Sequence, residues 1–123
     1  MGTALIIDDD QPMREAVAEL LKLDGHDVAQ ASNGLEALAL LGEGCEADVI
    51  LLDLNMPLMT GWQFLSALEK TGISSAPVII LSSAVHLAPD SPLLVAVVCK
   101  TGLDVEGLRK TVRSAAKRQL RKC

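Results

Sequence analysis

Apolar residues follow two alternating rhythms along the chain. Four continuous runs, Ala4-Leu5-Ile6-Ile7, Asp48 to Leu52, Pro77 to Leu81 and Leu94 to Cys99, read as strands, with Asp27 to Ala31 as a shorter one. Unbroken apolar runs of this length suit strands covered on both faces. Between them the apolar positions recur three and four apart, which predicts amphipathic helices. Their stripes are Met13, Val17, Leu20 and Leu21; Leu35, Leu38 and Leu41 or Leu40; Phe64, Leu65 and Leu68; and Val105, Leu108, Val112, Ala115 and Leu120.

The punctuation agrees with this division. Asp10 caps the first helix and Pro12 falls in its first turn, where a missing N–H costs nothing; Gly25 stops it. Asn33 or Ser32 caps the second helix, which Gly42 and Gly44 end, and the third runs from Gly61 to Lys70. Pro89 and Pro92 restrict the stretch Ser83 to Pro92, so a fourth helix there is expected to be short or irregular. Gly102 precedes the last helix. Strand and helix thus alternate five times with short connections. The pattern predicts an α/β fold, a five-stranded parallel sheet with helices on both faces.

With 123 residues, one domain over 1–123 is expected, and half the residues are apolar. Trp62 and Phe64 are the only aromatic residues, so the core is aliphatic and stacking on single-stranded nucleic acid is excluded. Cys45, Cys99 and Cys123 show neither metal-ligand spacing nor a disulfide framework, which points to free thiols in a reducing compartment. No secretory leader and no bilayer-length apolar run is present, so a soluble, cytoplasmic chain is expected. The net charge of −5 is unevenly spread. Residues 103–123 carry seven Lys/Arg against two Asp/Glu, and the rest carry four against fourteen. The basic stripe Arg109, Arg113, Lys117 and Arg121 has i,i+4 spacing and reads as a solvated helix face, with an acidic partner as the alternative.

Parallel sheets bind ligands at the carboxyl ends of their strands. Asp8 and Asp9 leave the first strand, Asp53 the third, Ser82 the fourth and Lys100 the fifth. Each residue alone is ordinary, since an Asp or Ser after a strand usually serves as a turn or cap. Together, three carboxylates, a hydroxyl and an ammonium make a coherent phosphoryl site. The carboxylates call for a hard divalent cation, Mg²⁺, to offset repulsion of an incoming phosphate. Asp53 is placed to attack phosphorus, and Ser82 and Lys100 to hold the transferred oxygens. His26 and His86 find no firm role.

These residues fall in the segments Leu5-Ile6-Ile7-Asp8-Asp9-Asp10-Gln11-Pro12-Met13-Arg14, Asn33-Gly34-Leu35-Glu36-Ala37-Leu38 and Asp48-Val49-Ile50-Leu51-Leu52-Asp53-Leu54-Asn55-Met56-Pro57-Leu58-Met59-Thr60-Gly61. With Pro77 to Ser82 and Lys100, they resemble the receiver domain of two-component response regulators over nearly the whole chain. The resemblance implies a flavodoxin-like, doubly wound fold. It implies that Asp53 accepts a phosphoryl group from a histidine kinase or histidine phosphotransfer protein. It further implies that Asp9 ligates Mg²⁺ directly, Asp8 acts through water, and the backbone carbonyl of Asn55 is a third protein ligand. Ser82 then moves toward the phosphoryl group and Lys100 pairs with it. The resemblance implies a switch and not an enzyme. Any output or partner protein would dock on the face of the fourth helix, strand five and last helix.

The chain departs from the family on that face. Thr101 stands where the family usually has proline, and a non-proline cis bond costs about 2.5–4 kcal/mol, so a trans Lys100–Thr101 bond is expected. Val97 replaces the usual aromatic residue, which removes a ring flip as the reporter of phosphorylation. The span from Ser82 to Lys100 is short, at the cost of the fourth helix. The segment 83–93 is therefore expected to be poorly helical and mobile. A degenerate receiver acting as a scaffold would lack some of Asp8, Asp9, Asp53, Ser82 and Lys100. An aspartate-nucleophile phosphohydrolase of the haloacid dehalogenase type wants a second Asp where Asn55 stands. Direct nucleic-acid binding lacks a helix-turn-helix segment after residue 102, and no membrane partner is expected. The chain is expected to be either a stand-alone receiver or a part of a hybrid kinase or longer regulator.

Overall fold

The computed structural model describes residues 2–83 and 88–121, the last four of these by backbone alone. Five strands, β1 (Thr3–Ile7), β2 (Asp27–Ala31), β3 (Val49–Leu52), β4 (Val78–Ser82) and β5 (Leu94–Cys99), form one sheet in the order β2-β1-β3-β4-β5, every pairing parallel. Among the described residues four helices accompany them: α1 (Gln11–Leu23), α2 (Gly34–Gly42), α3 (Gly61–Thr71) and α4 (Val105–Arg121). This strand order is the flavodoxin-like, doubly wound one.

The period-2 alternation of strand side chains builds two cores. Leu5, Ile7, Ile50, Leu52, Val78 and Ile80 point to one face and pack with Ala37 and Leu41 of α2 and Phe64, Leu65 and Leu68 of α3. Ala4, Ile6, Val49, Leu51, Ile79 and Leu81 point to the other and meet Val17, Ala18 and Leu21 of α1 and Leu108, Val112 and Ala115 of α4. The central strands are buried throughout because both faces are covered.

Helix ends follow the sequence signals. The Asp10 side chain accepts from Met13 N, and Asn33, rather than Ser32, accepts from Glu36 N. Thr60 and Gln63 close a capping box at the start of α3.

Three expectations are corrected. Leu35 does not face inward: it is 50% exposed, because α2 turns Gly34, Ala37 and Leu41 to the sheet. Gly34 occupies the inner position because a Cβ there would come within 2.8 Å of the Met59 side chain. Val105, the first residue of α4, stands off the stripe and is 46% exposed. Arg109 is not merely solvated: its guanidinium grips the Asp24 carboxylate with two nitrogens, Nε to Oδ2 at 2.9 Å and Nη2 to Oδ1, and also reaches Glu106.

Residues 88–93 contain no helix. His86, the rest of 84–87, Cys123 and the side chains of Leu120 and Arg121 lie outside the described residues. The Lys100–Thr101 bond is trans, Val97 is exposed, and Cys45 and Cys99 are free. Among the described residues no helix is long and apolar enough to cross a membrane.

Candidate functional site

Strand register assembles the site. Ile7 and Leu52 are register partners across β1 and β3, so the residues that follow them, Asp8 and Asp53, emerge side by side. Asp53 N–H donates to Ile7 O at 3.0 Å and Asp8 N–H to Ala31 O at 3.1 Å, which carries the ladder one residue past the strands. This is the switch point of the sheet, where the chain has wound outward in both directions and leaves a crevice. Across β4 and β5, Ser82 pairs with Cys99, and Lys100 N–H donates to Ser82 O at 3.1 Å. All four strand-end residues thus meet at one edge.

Asp8, Asp53 and Ser82 are buried, while Asp9, Asp10 and Asn55 are exposed at the mouth. Asp8, Asp9 and Asp53 each offer a carboxylate oxygen, and these oxygens all lie within 4.8 Å of one another. Lys100 Nζ stands 2.6 Å from Asp8 Oδ2 and 3.6 Å from Asp53 Oδ2. The Ser82 hydroxyl and the Leu54 N–H lie beside the Asp53 carboxylate and favour its charged form.

Burial pushes the Asp53 carboxyl above its ordinary range; Lys100 opposes this and the neighbouring Asp8 charge adds to it. For Lys100, burial works against the ammonium, but the hydrogen bond and charge of Asp8, joined by Asp53, outweigh it and hold the ammonium above its usual value. The result is an excess of carboxylate over cation in a recess. Three clustered carboxylates supplying only oxygen donors fit a hard divalent cation such as magnesium.

Arg14, to which the sequence reading assigned no role, braces the floor of this site. Its Nη1 donates to Asp8 O at 2.8 Å and its Nε to Gln30 Oε1 at 3.0 Å, tying α1, the β1 end and β2 together. Its place four residues after Asp10, on the first turns of a helix leaving the acidic loop, was the available signal.

The loop between β3 and α3 returns on itself. Gly61 N–H donates to Leu54 O at 2.9 Å, and a Cβ on Gly61 would lie 2.5 Å from Asp53 O, so only glycine lets α3 start against the Asp53 backbone. At the loop's outer bend Met59 N–H donates to Pro57 O at 2.7 Å around Leu58, whose φ is 69°. A positive φ at a leucine is strained, by about 1–3 kcal/mol. Leu58 is the only described non-glycine residue in that region.

The response regulator receiver domain family matches residues 4–105. A CpxR homolog of Haemophilus influenzae, a transcriptional regulatory protein, is 40% identical over 83 residues, 68% of this chain and 35% of that protein. The chain spans 22–37% of the length of three curated relatives that it matches. Among solved structures, the response regulator TrrA of Thermotoga maritima, in complex with Mg²⁺-BeF, superposes with a TM-score of 0.81 at 28% identity over 94% of this chain and 99% of that one. The receiver domain of the hybrid histidine kinase CckA gives 0.76 at 27% identity over 94% and 99%. With the parallel sheet, the acidic recess at its switch point and a match that runs from β1 into α4, this chain belongs to the response regulator receiver domains of two-component systems.

Proposed function

We propose that Asp53 is the phosphoacceptor of this receiver domain, taking a phosphoryl group from a histidine kinase or histidine phosphotransfer protein. The observation that carries this reading is the surroundings of the Asp53 carboxylate: the Ser82 hydroxyl, the Lys100 ammonium at 3.6 Å, and the carboxylates of Asp8 and Asp9.

An oxygen of Asp53 attacks phosphorus. The bond from phosphorus to the donor's imidazole nitrogen breaks, its electron pair stays with the imidazole, and an aspartyl phosphate remains. Lys100, paired with the carboxylate in the unphosphorylated protein, and Ser82 beside it are placed to bond the phosphoryl oxygens. Asp9, exposed at the mouth, and Asp53 would hold magnesium directly, Asp8, which Lys100 already engages, would act through water, and the Asn55 carbonyl would be a third protein ligand. Magnesium bound there offsets the repulsion between the carboxylates and the incoming phosphoryl group. Arg14 keeps the Asp8 backbone in register while the charge changes.

The resulting charge at Asp53 biases a small conformational equilibrium, the general way a covalent switch acts. The lack of helix at 88–93 and the exposed Val97 support a readout through the segment after β4 and not through a ring flip. Incubation with acetyl phosphate and Mg²⁺ followed by intact-mass measurement tests the reading. The wild type should gain one phosphoryl group and Asp53→Asn none; equal labelling of Asp53→Asn overturns the assignment.

A further inference from the structure

The amino edge of the sheet holds a titratable group that the phosphoacceptor site does not use. There α1 ends in a Schellman turn. His26 N–H donates to Leu21 O at 3.1 Å and Gly25 N–H to Lys22 O at 3.0 Å, with Gly25 at φ 88°. In such a turn the residue after the left-handed glycine folds back on the helix, and an apolar contact usually accompanies it. Here that residue is His26, 3% exposed, and neither of its ring nitrogens has a hydrogen-bond partner. The imidazole stands in for an apolar group. It can do so only while neutral, because a buried imidazolium with two unpaired N–H donors is strongly disfavoured.

The same turn carries a latch. The residue that caps α1 is Asp24, and Nε and Nη2 of Arg109 on α4 grip its carboxylate. One turn therefore both binds the last helix, through Asp24, and closes on the His26 ring. The charges that reach this ring come from four sides: Asp24 at the end of α1, Arg113 of α4, Asp48 ahead of β3 and the chain's amino group ahead of β1. Both carboxylates are engaged, Asp24 by Arg109 and Asp48 by Thr3 N–H at 2.7 Å. The other two groups are cations. A proton on the ring thus meets no free acceptor. It is accommodated by drawing Asp24 away from Arg109 or by opening the turn to water, and either course loosens α4 from α1.

We infer that His26 is a proton-operated release for the last helix: a proton on its ring opens the α1 turn and slackens the Asp24–Arg109 latch, while the carboxyl edge stays as it is. This inference does not depend on Asp53 being the acceptor. Its direction follows from burial, which holds the folded ring below the ordinary 6.5, with Asp24 opposing and the amino group and Arg113 adding to the fall. A released ring takes up its proton near 6.5, whereas the folded ring resists to lower pH. The latch is therefore closed above 6.5 and slackens as pH falls below it. The attachment of α4 becomes sensitive to acid through a residue remote from the acidic recess.

The test is amide hydrogen exchange read by NMR on the whole chain at about pH 7.5 and about pH 5.5, each rate divided by the intrinsic rate at that pH. The His26 ring is titrated in parallel in a His86→Gln background, which removes the other histidine. Protection of the Gly25 and His26 amides and of residues 108–113 should fall by about tenfold on acidification, the factor that one pH unit below the released ring's pKa supplies. The Asp53 and Lys100 amides should keep their protection. His26→Leu keeps the turn apolar and should hold full protection at both pH values. Asp24→Asn weakens the Arg109 grip and should show the loosened α4 already at the higher pH. Protection of α4 that does not change in the wild type overturns the inference. An equal fall in His26→Leu overturns it too, by assigning the acid response to another group. So does a fall shared evenly by every strand, which is loss of the whole fold and not release of one helix. If His26→Leu does not fold, the wild-type titration decides: a ring midpoint below 6.5 with the loss confined to the turn and α4 upholds the inference, and a midpoint at 6.5 or above overturns it.

Discussion

The two ends of the sheet use the same kinds of side chain to opposite ends. At the amino edge the half-buried carboxylates are each answered by a donor. Asp24 is gripped by two nitrogens of Arg109 from α4, and Asp48 accepts from Thr3 N–H at 2.7 Å. At the carboxyl edge Asp8, Asp9 and Asp53 crowd together with Asp10 nearby, and among the described cations Lys100 alone reaches both buried carboxylates. Burial and the neighbouring charge hold Asp53 above its usual range, whereas the Arg109 hydrogen bond holds Asp24 below its own. One edge is electrostatically closed. The other is left unbalanced, and an unbalanced recess is what a cation and a phosphoryl group can complete. A buried charge by itself therefore says little about function; whether its partners are sufficient says more.

The contrast yields its largest effect in metal binding. Asp9→Ala should lower Mg²⁺ affinity by more than about tenfold and Asp8→Ala by less, as calorimetric titration would show. The reverse order would swap the direct ligand and the one acting through water. Arg109→Ala should mirror this at the other end. It frees Asp24, so the melting temperature should fall, while Mg²⁺ affinity and the rate of labelling by acetyl phosphate stay at wild-type values. Loss of Mg²⁺ affinity in Arg109→Ala would mean that the two edges are not separable.

The smallest effect concerns His26, which lies at the amino edge with 3% exposure and both ring nitrogens without a partner. Burial lowers its pKa from the ordinary 6.5, with the Asp24 charge opposing and the N-terminus and Arg113 adding to the fall. The folded protein thus keeps His26 neutral where the unfolded chain takes up a proton. Stability from this residue is complete above 6.5 and declines as pH falls through that value, ending once the lowered folded pKa is passed. Urea denaturation between neutral pH and about pH 5 should show this slope in the wild type and a weaker one in His26→Leu. An equal slope in both would clear His26 of any part in acid sensitivity.

Much of this was legible in the sequence because period and punctuation are local. The runs ending in Asp8, Asp53, Ser82 and Lys100 placed the strands, and a parallel sheet gathers its strand ends at one edge. What stayed hidden depends on distance along the chain or on helix rotation. Asp24 and Arg109 are 85 residues apart, so only the packing of α1 beside α4 reveals that the basic stripe of α4 is anchored at that position. Leu35 looked like a core residue because three leucines at helical spacing resemble a stripe; Gly34 and Ala37 take the inner positions because Met59 and the sheet leave little room. The strain at Leu58 has no signature in composition, since Pro57-Leu58-Met59 reads as an ordinary turn. The buried, unpartnered ring of His26 was equally invisible, for one histidine after a helix-ending glycine looks exposed.

The claim that the carboxyl edge is the working end is tested most directly by locating the phosphoryl group. Protein labelled by acetyl phosphate and Mg²⁺ is reduced with borohydride, digested, and the modified peptide sequenced by mass spectrometry. The account predicts that the peptide carrying Asp53 alone is modified and that omission of Mg²⁺ abolishes the signal. Modification at Asp8 or Asp9 in place of Asp53, or on any residue of the amino edge, would contradict it.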